Sequence, residues 1–296
     1  MTISIQDVYD AFIGSFRLEV KLLKEFCNVK TIEFMPKDGS ALSIPSRNGE
    51  LLSDELRACV VPLDYAIAPS VIAGHRWDYF EIEFACSVVP PSLRAFTLVD
   101  VGANVGLFSR QMLAAFDQIQ DVYLYEPDPD NFKYMSRNLQ AYAKAKRRNY
   151  ALGSRNENVE FYRDWSNSGN YSLMKSAMPA DAAFDKIAIE VRNAKAECKD
   201  WLSSDLPIFY KSDTQGHDET IATATDPAIW KSVFAGIFEL WRIEKPEFPL
   251  PAFRAIMDQF PNKKFLQEPD HMLTTDDIMT YIQGRDGHYR DLGVWK

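Results

Sequence analysis

Seven residues, D-V-G-A-N-V-G at 100–106, carry the pattern with the plainest chemical meaning in this chain. An apolar run, F-T-L-V-D-V at 96–101, leads into it, and apolar residues at helical spacing follow (Leu107, Phe108, Met112, Leu113, Phe116). That is a strand, a bend and a helix. Gly102 and Gly106 lack a Cβ, so the backbone can turn sharply there and a ligand can lie against it. A helix starting behind such a bend offers free N–H groups to a carboxylate or phosphate. A second apolar run, V-Y-L-Y at 122–125, ends on Glu126 and Pro127. A carboxylate accepts hydrogen bonds on both oxygens, so Glu126 at a strand end suits the two hydroxyls of a ribose.

Two nucleoside ligands compete for this pattern. A dinucleotide fold wants G-x-G-x-x-G, the second glycine letting the pyrophosphate press on the backbone. Here the three positions hold Gly102, Asn104 and Leu107, so NAD, and with it a nucleotide-sugar dehydrogenase or epimerase, fits poorly. S-adenosyl-L-methionine (SAM) asks for other partners. Asp100 is placed to hold its ammonium, directly or through water, the turn amides to hold its carboxylate, and Glu126 to accept both ribose hydroxyls.

On the acceptor side the informative stretch is S-D-T-Q-G-H-D at 212–218, after a predicted strand at 207–212. Methyl transfer from a sulfonium needs the acceptor aligned and its proton removed. A positioned base helps an alcohol by about 10²–10⁴-fold. Asp213, His217 and Asp218 are the candidates, His217 because an unperturbed imidazole (pKa ~6.5) is mostly neutral at pH 7. The alternative is that Asp213 anchors the loop and His217 faces solvent. The same three could also hold a divalent ion, though the cluster is small and close in sequence. Glu239 and Trp241, in F-E-L-W at the end of the strand expected at 235–241, are placed to line an acceptor pocket. Trp77 and Trp165 could stack on a sugar face or simply pack in a core. The amino-methylating signature [D/N]-P-P-[Y/F] is missing at this position, as is a Pro-Cys pair for cytosine C5 chemistry, and both absences favour oxygen as the methyl acceptor.

Taken as a set, these stretches resemble the FkbM family of SAM-dependent methyltransferases. D-V-G-A-N-V-G looks like the family's first motif and Y-E-P-D-P-D-N-F (125–132) its second. A-L-G-S (151–154) with N-S-G-N-Y-S-L (167–173) looks like its central strand and polar loop, and Y-K-S-D-T-Q-G-H-D (210–218) its K-x-D-x-Q/E-G-x-D/E signature. R-W-D-Y-F-E (76–81) matches too, so the likeness covers roughly 75–243. It implies a class I methyltransferase sheet and methylation of hydroxyls on sugars, glycans or polyketide-like molecules. It carries over Asp100, Gly102, Asn104, Gly106 and Glu126 as cofactor contacts, with Pro127, Ala151 and Leu152 beside them. It makes Asp213, Gln215, Gly216 and Asp218 the loop after the fourth strand, and puts Asn170, Ser172 and Gln215 with Glu239 and Trp241 on the acceptor side. The chain departs from the pattern at 198–200, where C-K-D stands for the more usual L-D-D.

These residues need a frame. Strands expected near 148–152, 158–162, 186–194 and 264–267, with helices at 129–143 and 252–260, complete a strand–helix alternation, which means a mostly parallel Rossmann-like sheet with helices on both faces. Residues 1–74 read as an accessory cap or dimerisation element with a helix at 5–26 and a hairpin at 30–45, and residues 75–296 as the methyltransferase domain. A net charge of −9 in 296 residues gives little of the cation excess that phosphate-backbone binding exploits. A small-molecule or glycan acceptor is therefore expected rather than nucleic acid. No apolar run approaches the ~18 residues of a membrane helix. Four scattered cysteines and no basic-then-apolar leader suit a cytoplasmic protein.

Overall fold

The computed structural model describes residues 42–45, 51–54, 67, 77–164, 167–177, 184–245, 250–268 and 270–296. The expected helix at 5–26, the first arm of the hairpin at 30–45, and Trp165 lie outside these residues. The second arm of that hairpin is a strand, Leu42–Pro45 (β1), but its antiparallel partner is Leu51–Asp54 (β2).

The main sheet uses Phe96–Val101 (β3), Ile119–Tyr125 (β4), Ala145–Arg148 (β5), Ile208–Ser212 (β9), Val233–Trp241 (β10), Asn262–Phe265 (β11) and Tyr289–Trp295 (β12). Across the sheet they run β5-β4-β3-β9-β10-β12-β11. The pairs from β5 to β10 are parallel; β12 enters antiparallel to both neighbours. Numbered along the chain within this sheet the order is 3-2-1-4-5-7-6, a Rossmann-like order with an antiparallel last strand inserted near one edge. Strand order reverses between β3 and β9, and ligands of open α/β sheets bind outside the carboxyl ends of the strands at such a point. β3 is buried throughout. Its alternation sends Val99 and Val101 into one core and Phe96 and Leu98 into the other, as a strand covered on both faces requires.

Two differences from the expected single sheet matter for the site. Ala151–Gly153 (β6), Glu157–Asp164 (β7) and Phe184–Asn193 (β8) form a separate three-stranded sheet, β6-β8-β7. β7 alternates half-buried and exposed residues over 157–160 and buries only Phe161 and Asp164, so it suits a sheet with one wet face. β12 was not foreseen. Its only fully apolar positions are Leu292 and Val294, and between them Gly293 leaves room for Phe84 and Leu266, which a Cβ would meet at 2.7 and 2.8 Å.

Helices flank these strands: Tyr79–Val88 (α1), Leu107–Ala115 (α2), Pro129–Asn138 (α3), Ala194–Trp201 (α4) and Asp218–Ala224 (α5). α3 begins as its sequence dictates. Asp128 caps it, Oδ1 accepting from the amides of Asp130 and Asn131 at 2.9 Å each, with Pro129 in the first turn. It stops at Asn138 rather than at 143 because the chain must turn back to start β5 beside Val122. Among the described residues no helix is long and apolar enough to cross a membrane.

Candidate active site

A cavity of about 190 Å³ opens at the carboxyl ends of β3, β4, β9 and β10. Its wall includes Gly102, Asn104, Glu126, Pro127, Ala151, Leu152, Asn170, Asp213, Gln215, His217 and Glu239. Five of the residues picked from sequence stand behind that wall: Asp100, Gly106, Ser172, Asp218 and Trp241.

The glycine turn and Glu126 are in direct contact. Glu126 Oε2 accepts the Asn104 amide at 2.9 Å and Oε1 the Asp128 amide at 2.8 Å. Burial pushes the carboxyl up to about 8, helped by the Asp128 charge and opposed by these amides. Gly102, Asn104 and Gly106 all have positive φ (78°, 50° and 79°). That curl turns the amides inward. Gly102 and Ala103 donate to Tyr125 O, Val105 to its neighbour Asn104 Oδ1, and Gly106 to Ala103 O. The turn amides were expected to meet a ligand carboxylate; those of residues 102–106 are instead already bonded within the protein. What the turn supplies is proximity. A Cβ on Gly102 would stand 1.9 Å from the carbonyl oxygen of Asp213, so the loops after β3 and β9 touch across the cavity floor.

Asp100 does not reach the cavity. It is fully buried, Oδ2 accepts from Ser109 Oγ at 2.6 Å, and burial raises its pKa against the pull of Lys211. Asp218 is an anchor for its loop: Oδ1 accepts from Ser212 Oγ at 2.5 Å and from the Thr214 amide at 3.1 Å. Ser172 ties the polar loop after β7 to the loop after β9, its Oγ donating to Gln215 O at 2.7 Å.

His217 and Asp213 line different parts of the wall. A Cβ built on Gly153 would be 4.0 Å from His217 Nε2, which puts the imidazole over the end of β6. Burial, with Lys245 nearby, lowers its pKa to about 4, so it is neutral and weakly basic across the physiological range. Asp213 is held at both oxygens. Lys211 Nζ lies 3.1 Å from Oδ2, and Gln215 Nε2 donates to Oδ1 at 3.0 Å. Gln215 reaches on to Glu239 Oε1 at 2.9 Å, whose Oε2 accepts from Trp241 Nε1 at 2.6 Å. Trp241 in turn stacks under Tyr289, ring centroids 4.9 Å apart. Glu239 and Trp241 thus form a frame in which Glu239 meets the cavity and Trp241 supports it.

Several wall residues carried no assigned role in the sequence reading. Asp78 and Glu81, one turn apart at the start of α1, and Tyr289 and Asp291 of β12 face the cavity with Lys211. Burial works against the charge of Lys211, but the carboxylates of Asp213, Asp100, Asp78 and Glu81 hold its pKa well above the ordinary value. β12 was invisible as a strand, so its two contributions could not be found. Lys211 was within sight, as the basic residue that a buried acidic cluster requires. Among the described residues no group of three or more His, Cys, Asp or Glu side chains is arranged to hold a metal ion.

No family model and no curated protein matches this chain. Solved structures do. It is similar to a methyltransferase FkbM from Methylobacillus flagellatus KT, with 16% identity, a TM-score of 0.43, and 78% of this chain against 53% of that one covered. It is also similar to M. jannaschii TYW2 in complex with AdoMet, at 11% identity and a TM-score of 0.37 over 90% of this chain and 86% of the other. The chain therefore spans about half the length of the Methylobacillus protein.

Proposed function

We propose that this chain is a SAM-dependent methyltransferase acting on a hydroxyl oxygen of a small molecule, a sugar, glycan or polyketide-like acceptor. The observation that carries the reading is the direct bond between the glycine turn and Glu126 at the strand-order reversal. The residues present fit SAM. Gly102 lets the loops after β3 and β9 meet and lines the cavity there, and the Glu126 carboxyl stands buried in the same wall. Bound there, SAM would supply an electrophilic methyl group on its sulfonium. Glu126 would hold the ribose, and Pro127, Ala151 and Leu152 would offer the apolar wall for the base. Asp213, fixed by Lys211 and Gln215, is the group oriented to accept the acceptor's hydroxyl proton.

Calorimetry with S-adenosylhomocysteine and with NAD tests this directly. Binding of the first and not the second is expected; tight NAD binding without S-adenosylhomocysteine binding overturns the reading. Asp213→Asn, which keeps the shape and loses the charge, should reduce methylation by about 10²-fold or more while leaving S-adenosylhomocysteine affinity nearly unchanged. Unaltered turnover in that variant would take Asp213 out of the chemistry.

A further inference from the structure

Tyr289 opens β12 and stands half-exposed on the cavity wall. In the strand pair it lies opposite Trp241, and beside it the Arg242 amide donates to His288 O at 2.8 Å, so its backbone is held in place. The Trp241 ring stacks on the phenol ring, with centroids 4.9 Å apart and planes at 23°. Trp241 is itself buried, and its Nε1 donates to Glu239 Oε2 at 2.6 Å. A pinned indole therefore covers one face of Tyr289 while half of the residue stays exposed. A tyrosine that served packing alone would bury its ring. A braced, half-exposed ring on a cavity wall is a stacking surface made ready in advance.

From this ring an unbroken set of contacts leads to the candidate base. It runs through Trp241 to Glu239, from Glu239 Oε1 to Gln215 Nε2 at 2.9 Å, and from Gln215 Nε2 to Asp213 Oδ1 at 3.0 Å. The wall here is acidic: Asp78, Glu81, Asp213, Glu239 and Asp291 share it with Lys211. Glu239 stands directly opposite Asp291 in the β10–β12 ladder, a pairing of like charges that packing alone disfavours. Carboxyl oxygens accept hydrogen bonds, so this rim suits a ligand rich in hydroxyl donors and repels an anion. A saturated sugar-type ring offers both a C–H face for the aromatic ring and hydroxyls around its edge for the carboxyls. A flexible polyketide-like chain lacks the face. Resting on the reading of Asp213 as the acceptor's base, we propose that Tyr289 is the specificity-determining residue of the acceptor side. The ring of a neutral pyranoside stacks on its free face, Trp241 braces it from behind, and the hydroxyl to be methylated points to Asp213.

The test is ligand-observed NMR on the full chain, with and without saturating S-adenosylhomocysteine. The probes are the methyl pyranosides of glucose, galactose and mannose, the open-chain alditol of each, and methyl glucuronoside. At least one pyranoside should bind about two- to tenfold more tightly than its alditol, the range of one aromatic contact, and more tightly than the uronide. Tyr289→Leu, which keeps an apolar side chain on the strand, should abolish the preference for ring over chain. Tyr289→Phe, which keeps the aromatic face, should retain it. Wild-type protein that binds no pyranoside in either state, or that prefers the alditols or the uronide, overturns the proposal. So does a ring preference that survives in Tyr289→Leu; the wild-type comparison decides the matter if the leucine variant does not fold. Failure of S-adenosylhomocysteine to bind in calorimetry would remove the SAM reading instead, and the pyranoside series without cofactor would still decide this one.

Discussion

Glu126 is an acid whose environment favours its neutral form while its proposed task favours the charged one. Burial raises its pKa to about 8, which favours the protonated carboxyl at pH 7 before a ligand binds. A ribose hydroxyl donating to the carboxylate favours ionisation. Binding must then expel that proton. Affinity for S-adenosylhomocysteine should rise with pH up to about 8, by at most about tenfold per pH unit, and level off above. Titrations at pH 7 in two buffers of different ionisation enthalpy should report close to one proton released, and Glu126→Gln should report none. Equal heats in both buffers would mean that the carboxyl is not where the cofactor lands. His217 makes the opposite case. Its pKa of about 4 removes the reason for choosing it as a base, which was an imidazole poised near neutrality, and leaves Asp213 as the oriented candidate.

At the scale of elements, the loops after β3 and β9 are packed backbone against backbone, and Gly102 is the joint. Gly102→Ala puts a methyl group at 1.9 Å from a carbonyl oxygen on a residue with φ 78°. Left-handed strain and overpacking together should cost about 2–5 kcal/mol. Gly287 has nearly the same φ, 77°, with nothing within 4 Å, so Gly287→Ala should cost only the strain, about 1–2 kcal/mol. Urea unfolding of the two variants separates space from conformation; equal losses would show that the close approach is not real. The same contrast shows what a sequence makes legible. The turn, β3, β4, Glu126 and Asp213 could be read directly, because spacing along the chain encodes local geometry. What Asp100, Asp218 and Ser172 do could not, because which side of a loop faces a cavity depends on strands distant in sequence. β6, β7 and β8 were found as strands yet assigned to the wrong sheet, since periodicity reports burial of a face and not the neighbour that covers it. β12 was missed outright: Gly293 interrupts its apolar alternation, and its contribution of Tyr289 and Asp291 exists only once it inserts between β10 and β11.

The whole molecule carries the cost of this site in its dependence on pH. Asp218 and Glu126 are buried within the fold with pKa values pushed up, by burial first, to about 7 and about 8, against 3.8 and 4.5 for the free groups. Between those limits the folded chain binds more protons than the unfolded chain. Stability then falls as pH rises, at about 1.4 kcal/mol per pH unit for each proton of difference. Their contribution is therefore complete below pH 4 and gone once pH passes the folded values. Ionisation also adds to the self-repulsion of a chain already at −9. The urea midpoint of the ligand-free protein should accordingly drop from pH 5.5 to pH 8.5, by the equivalent of a few kcal/mol on the same scale. Saturating S-adenosylhomocysteine should remove the Glu126 share and leave a residual slope from the other buried carboxyls that burial pushes up, Asp218, Asp78 and Glu239 among them. In Asp218→Asn the slope should be shallower by the share of that one carboxyl while the Glu126 share persists. A midpoint that stays flat or rises over this range would show that these carboxyls are ionised in the folded chain, and that the cavity wall is wetter and more polar than its packing implies.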